Sequence, residues 1–183
     1  MTKELWKPGT MVYPVPAVMV SCGDHNIITI AWTGTICSEP AMTYVSIRPS
    51  RYSHEIISKT KEFVINLTTK KLVFATDFCG VKSGRAINKF EAMKLTPEKA
   101  KQVKCPLIKE SPVNIECAVT EIKKLGSHDM FIAKVLCIHG DKKYIDPRGN
   151  FNLAAAQPVA YSHGKYYQLG KCLGFYGFSV KRK

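Results

Sequence analysis

Three short stretches carry residue types that together suit a flat, phosphorylated ligand. The first, YVSIRPSRYSHEII from Tyr44 to Ile57, begins as a strand and ends as a helix. Ser46, Arg48, Arg51 and Ser53 fall at the junction. Phosphate is commonly held by hydroxyls, guanidinium forks and the free backbone N–H groups of a helix start. Pro49 keeps Arg48 extended and fixes the bend, and Ser53 is placed to cap the helix. The same pattern also fits an ordinary capped helix with solvated arginines.

A second stretch favours the anion site. FCGVKSGRAINKF, from Phe78 to Phe90, brings Lys82, Arg85, Lys89 and Ser83 beside Gly80 and Gly84, which permit close backbone approach. The third stretch, NIITIAWTGTIC from Asn26 to Cys37, supplies an aromatic plate. Trp32 ends a strand and is followed by Thr33-Gly34-Thr35, an arrangement suited to a flat heteroaromatic ring with polar edges. A core tryptophan before a turn is the plainer reading of Trp32.

Other chemistries lack their signatures. There is no GxGxxG, no GxxxxGK[ST] and no HExxH. The five histidines are scattered without metal-ligand spacing. The seven cysteines are odd in number and contain no CxxC, so neither a disulfide framework nor a zinc site is expected. Several stand in apolar runs and read as buried reduced thiols. Asn66-Leu67-Thr68 matches a glycosylation acceptor and reads as chance.

The elements that must position these residues are mostly strands. Ala17–Ser21 and Asn26–Trp32 flank a Gly23-Asp24 turn and predict a hairpin. Met42–Arg48 and Glu62–Leu67 are rich in β-branched and aromatic residues. Asn114–Glu121 alternates, with Ile115, Cys117 and Val119 on one face. Phe131–Ile138 is almost wholly apolar, which predicts cover on both faces. Shorter strands are expected at Lys143–Ile145, Val159–Ser162 and Tyr166–Leu169. Helices are predicted at Ser53–Thr60, with Ile56 and Ile57 inward, at Lys70–Phe78, and from Thr96-Pro97-Glu98, which offers a hydroxyl cap, a first-turn proline and an early acid. Antiparallel strands with short helical insertions over 183 residues predict a mainly β barrel in a single domain, 1–183.

The net charge of +13 permits an anionic partner. The lysines are dispersed along the chain, however, often on predicted helix faces such as Glu98–Lys104, and only Lys181-Arg182-Lys183 forms a run, read as a solvated tail. No apolar run approaches the ~18 residues of a membrane helix, and MTKELWKPGT lacks the plan of a signal peptide. A cytoplasmic location without membrane contact is expected.

Taken together, NIITIAWTG, VSIRPSRYSHEII, EFVINL and FCGVKSGRAINKF resemble, in order and spacing, the flavin reductase-like FMN-binding family, and within it the flavoredoxin branch. The resemblance covers roughly Met11 to Phe178. It implies an FMN-binding split β-barrel that forms a homodimer with FMN near the subunit interface. Position by position, it implies that Asn26 and Trp32, with Thr33 beside it, line the flavin ring. Ser46, Arg48 and Ser53, with Arg51, would meet the phosphate. Lys89 would reach the flavin or its phosphate, and His128 and Tyr161 would stand near the ring. One departure is Asn88, where relatives usually carry Asp before the Lys-Phe pair, which questions any carboxylate orienting Lys89.

The implied activity is flavin-based electron transfer, as an NAD(P)H:flavin oxidoreductase or as a carrier fed by a redox protein. The flavin would do the redox chemistry, so no side chain is assigned as catalytic. Two rivals are a pyridoxamine-phosphate oxidase type of barrel, which also holds FMN phosphate in a basic site, and a basic β-barrel that binds nucleic acid without a flavin. The charge and the aromatics Tyr166 and Tyr167 support the latter. Nucleic acid is the less favoured partner because the charges do not alternate with aromatics on one strand face.

Overall fold

The computed structural model describes residues 2–180; the Lys181-Arg182-Lys183 run lies outside them. The strands are β1 (Val15–Pro16), β2 (Val18–Cys22), β3 (Asn26–Ile30), β4 (Thr33–Ser38), β5 (Ala41–Ile47), β6 (Glu62–Leu67), β7 (Pro97–Glu98), β8 (Leu107–Ile108), β9 (Val113–Lys124), β10 (Asp129–Gly140), β11 (Val159–Ser162) and β12 (Lys165–Gln168). Three helices are α1 (Tyr52–Thr60), α2 (Val73–Val81) and α3 (Lys89–Ala92). Seven strands form one antiparallel sheet in the order β3-β2-β6-β9-β10-β5-β4. The strands β1, β11 and β12 form a smaller sheet.

The large sheet curls on itself. Ile28 and Ile30 of β3, near one edge, share a core with Val45 and Ile47 of β5, near the other, and with Val20, Phe63, Cys117 and Phe131 between them. The outer face of β2 and β3 is covered too: Met19 and Ile27 pack against Leu72, Ala75 and Cys79 of the α2 region and Phe90 of α3. Val64 of β6 packs outward on Val103, Cys105 and Leu107. Burial on both faces explains why these strands read as continuous apolar runs. At the β2–β3 turn, Gly23 takes a positive φ of 58°.

Four local expectations fail. The segment from Thr96 does not form a helix; Pro97–Glu98 is a strand paired with Leu107–Ile108. The N–H groups of Lys101, Gln102 and Val103 turn to the buried Glu116 carboxylate instead of to an i−4 carbonyl. A distant acceptor has outbid the local helix signals. Lys143–Ile145 is not a strand: Lys142–Tyr144 is a 3₁₀ turn started by the Asp141 carboxylate, which accepts from Lys143 N–H. Ser53 does not cap α1; the N-cap is Arg51, without a side-chain bond. Finally, β10 is not covered along its whole length. Phe131 and Ala133 are fully buried, whereas Leu136 and Ile138 are 38% and 64% exposed.

Other expectations stand. The β2–β3 hairpin, β5, β6, β9, β11 and β12 occur near their predicted places. Cys22, Cys79, Cys105 and Cys117 are buried free thiols, while Cys172 is exposed. Asn66 is fully buried, donating to Met19 O, Val64 O and Ser21 Oγ and accepting from Ile108 N–H, so it offers no glycosylation site in the folded chain. Among the described residues no helix is long and apolar enough to cross a membrane.

Candidate functional site

Two adjoining cavities open where the β3–β4 bend, the β5–α1 loop and the end of α2 meet. The first, about 360 Å³, is lined by Trp32, Tyr161, Tyr166, Ile28 and Ile30, with Ser46, Arg48, Arg51, Asp77 and His128 at its polar edges. The second, about 430 Å³, is lined by Asn26, Ser50, Arg51, Ser53, Lys82, Ser83, Gly84 and Lys89. Ile28, Arg48, Arg51 and Gly80 line both, so the cavities form one bipartite site. One half is aromatic. The other is cationic and rich in hydroxyls.

Local structure explains the arrangement. Strand β5 delivers Ser46 and ends just before Arg48; the turn closed by Arg51 N–H on Arg48 O brings the two guanidinium-bearing residues together. Ser53, buried on the first turn of α1, accepts at Oγ from Asn26 Nδ2 at 2.7 Å. Asn26 Nδ2 also donates to Cys22 Sγ, but Asn26 Oδ1 is a buried acceptor with no partner among the described residues. An unpaired buried carbonyl on a cavity wall points to a ligand that donates N–H or O–H. Gly84 makes this possible: a Cβ there would stand 1.9 Å from Asn26 Oδ1.

Lys89 is 3% exposed, and its ammonium donates to Ile27 O at 2.5 Å and Cys79 O at 2.8 Å. Burial holds its pKa below the usual lysine value, and Arg51 adds to that against the opposite pull of Cys79 and Cys22. The residue before it now has a clear task. Asn88 is the N-cap of α3, accepting from Phe90 and Glu91 N–H, a role that Asn and Asp fill equally well. Its identity therefore does not bear on orienting Lys89, which main-chain carbonyls fix.

Around the aromatic cavity, the His128 pKa is pushed below its ordinary value by burial and by Arg48. Tyr166 donates to Asp77 Oδ1 at 3.3 Å, and burial followed by that carboxylate raises its pKa to about 12. Both phenol and carboxylate were invisible as a pair in the sequence, being 89 positions apart. Tyr13 packs between Trp32 and Tyr161, with ring centroids 6.1 and 6.3 Å away. Cys79 lines the cationic cavity, but burial raises the thiols of Cys79 and Cys22 to about 11. Both are protonated at neutral pH and poorly suited to a thiolate relay.

Of the sequence-selected residues, Asn26, Trp32, Ser46, Arg48, Arg51, Ser53, Lys89, His128 and Tyr161 all line this bipartite space. Thr33 does not; its hydroxyl turns into the sheet and donates to Tyr44 O at 2.6 Å. Ser50, Tyr52 and Asp77 join the lining without having been singled out as binding residues, and Tyr166, named only as a possible base-stacking aromatic, joins it too.

Comparisons with known proteins give the family and the fold. The family model described as "Flavin reductase like domain" matches residues 10–170. An uncharacterized protein of Archaeoglobus fulgidus is 34% identical over 133 residues, which is 71% of this chain and 75% of that protein. Among solved structures, the flavoredoxin of Desulfovibrio vulgaris (Miyazaki F) superposes with a TM-score of 0.91 at 27% identity, covering 98% of this chain and all of that one. The flavoredoxin from Methanosarcina acetivorans gives 0.89 at 22% identity over 99% of this chain and 100% of its own, a likeness of fold. The curled seven-stranded sheet is thus a split β-barrel, and the chain belongs to the flavin reductase-like family, in its flavoredoxin branch.

Proposed function

We propose that this protein binds FMN in the bipartite site and transfers electrons through it, as an NAD(P)H-dependent flavin reductase or a flavoredoxin-like carrier. The observation that carries this reading is the continuity of an aromatic cavity with a cationic one, joined at Arg48 and Arg51. A flavin ring needs the first half and a phosphate the second. FMN, when bound, supplies the redox chemistry.

The chain's own residues bind and orient. Arg48, Arg51, Ser50 and Ser83 hold the phosphate, with Lys82 at the rim. Trp32, Ile28 and Tyr161 pack the ring. Asn26 Oδ1 accepts from a ligand N–H or hydroxyl, satisfying its buried carbonyl. Lys89 keeps one of its three ammonium protons for the ligand after its two carbonyl bonds. Arg48 places positive charge at the aromatic cavity, which favours an electron-rich ligand there, and it disfavours the protonated form of His128.

The test is the absorbance of purified protein, before and after anaerobic NADH and then NADPH. Flavin bands that bleach with a nicotinamide establish the reductase. Bands that persist with both favour a carrier served by another redox protein. Protein that stays colourless after incubation with FMN and removal of the excess overturns the reading and returns the basic binding-module alternative.

The same proposal includes a homodimer. Register pairs Ser46 with Met130 and Tyr44 with Ile132 on one sheet face, and those four side chains are half-buried. Ser46 lines the aromatic cavity, so this partly apolar face adjoins the site. A second copy would cover it. Sedimentation velocity is expected to give a dimer at micromolar concentration; a monomer there removes this part.

A further inference from the structure

A second cluster of chemistry-bearing side chains lies apart from the flavin site. Glu116 of β9 and Cys137 and His139 of β10 bring a carboxylate, a thiol and an imidazole to one point, their ligand atoms all within 4.8 Å of one another. A β-bulge creates the arrangement. Val135 pairs with Cys117, but the next pairing is Cys137 with Glu116, leaving Leu136 as the extra residue. The bulge shifts the phase of β10 so that Cys137 shares a face with Glu116. His139, two residues on, projects to the same side.

The geometry is close to that of a metal site. A tetrahedral zinc with ligands at ~2.3 Å to sulfur and ~2.05 Å to nitrogen sets the two atoms ~3.6 Å apart. Cys137 Sγ and His139 Nε2 stand 3.7 Å apart. Glu116 Oε1 and His139 Nε2 are 2.5 Å apart, a hydrogen bond that must open by about 1 Å to admit a metal. His139 can make that move because its side chain is 35% exposed. Glu116 cannot, since Lys101, Gln102 and Val103 N–H groups hold its carboxylate. Such outer partners orient a ligand in metal sites. Fastening the 101–103 loop accounts for Glu116, but not for a thiol brought to the same point by a bulge.

We propose that Glu116, Cys137 and His139 form a binding site for a thiophilic divalent cation of the Zn²⁺ class, with solvent as the fourth ligand. Binding displaces the Cys137 thiol proton, and His139 takes the Nδ1–H tautomer so that Nε2 is free to ligate; carboxylate, thiolate and neutral imidazole then meet the dication with no net charge. Three protein ligands near the Lys101 charge suit a micromolar site rather than a permanent structural zinc.

The probe is Co²⁺, added anaerobically to reduced, chelator-treated protein and read at wavelengths beyond the flavin bands. One equivalent is expected to give an intense tetrahedral band that Zn²⁺ abolishes. Cys137→Ser and His139→Gln, both at partly exposed positions, should each weaken cobalt binding about tenfold or more. Absence of the band at millimolar cobalt, or its survival in either variant, overturns the proposal. An independent reading needs no variant: Zn²⁺ should slow alkylation of Cys137 relative to exposed Cys172, mapped by mass spectrometry. Equal rates with and without zinc also overturn it.

Discussion

Replacing Arg48 and Arg51 together by alanine weakens FMN binding by about 100-fold or more, while riboflavin affinity stays within a few-fold. Each charged hydrogen bond to a phosphate contributes about 1.5–3 kcal/mol, and each 1.4 kcal/mol is tenfold in affinity. Both residues line the junction of the two cavities, which is why the proposed site assigns them to the phosphate. The folded chain tolerates the change. Arg51 is the N-cap of α1 by its backbone alone, with no side-chain cap bond to lose, and both side chains are exposed. Titration of flavin fluorescence quenching reads both ligands. Riboflavin lacks only the phosphate, so equal losses for the two flavins would refute the assignment of these arginines to the phosphate. An unchanged FMN affinity would do the same.

The second large effect concerns stability. Glu116→Gln is expected to lower the free energy of unfolding by about 3 kcal/mol at neutral pH, and the difference should shrink in acid. Burial alone would raise the Glu116 carboxyl. Backbone N–H groups of Lys101, Gln102 and Val103, together with His139, outweigh it and bring the pKa from the usual 4.5 to about 2. A carboxyl whose folded pKa lies below its unfolded one stabilises the fold above the unfolded value. That stability is lost as pH falls toward the folded value. The window therefore runs from about pH 4.5 down to about pH 2. Denaturant midpoints of both proteins across that range measure the effect, and carboxylates common to both cancel in the difference. Parallel curves for the two proteins would mean that Glu116 does not fasten the 101–103 loop through its charge.

Much of this protein is legible from local chemistry. The strands β2, β3 and β6 read clearly because burial on both faces demands unbroken apolar runs. The two loops proposed to hold an anion stood out because arginines, serines and glycines gather at a strand-to-helix junction and in a helix-end loop, and the structure brings both loops to one cavity. What local chemistry misread was each case in which a distant group took the bond. Thr96-Pro97-Glu98 carries sound helix-start residues, yet Glu116, 13 residues beyond Val103, captures the N–H groups of the following turn. Ser53 reads as a cap, yet α1 already begins at Tyr52 with Arg51 as its N-cap, and Asn26, 27 positions back, donates to the Ser53 hydroxyl. Thr33 follows the aromatic plate, yet its neighbour strand takes its hydroxyl through Tyr44 O.

The sequence by itself determined the inventory: which segments must be strands, which loops carry anion-binding groups, and which family's pattern they follow. Only the tertiary structure decided which atoms face one another. It left Asn26 Oδ1 unpaired beside Gly84, set Lys89 on two carbonyls, paired Tyr166 with Asp77, and used a single bulged residue to turn Cys137 toward Glu116. The reason is one of range. Propensity and patterning act over a few residues along the chain, whereas a side chain's hydrogen-bond partner is chosen by how the barrel closes. A one-residue change of register sends that side chain to the other face of the sheet.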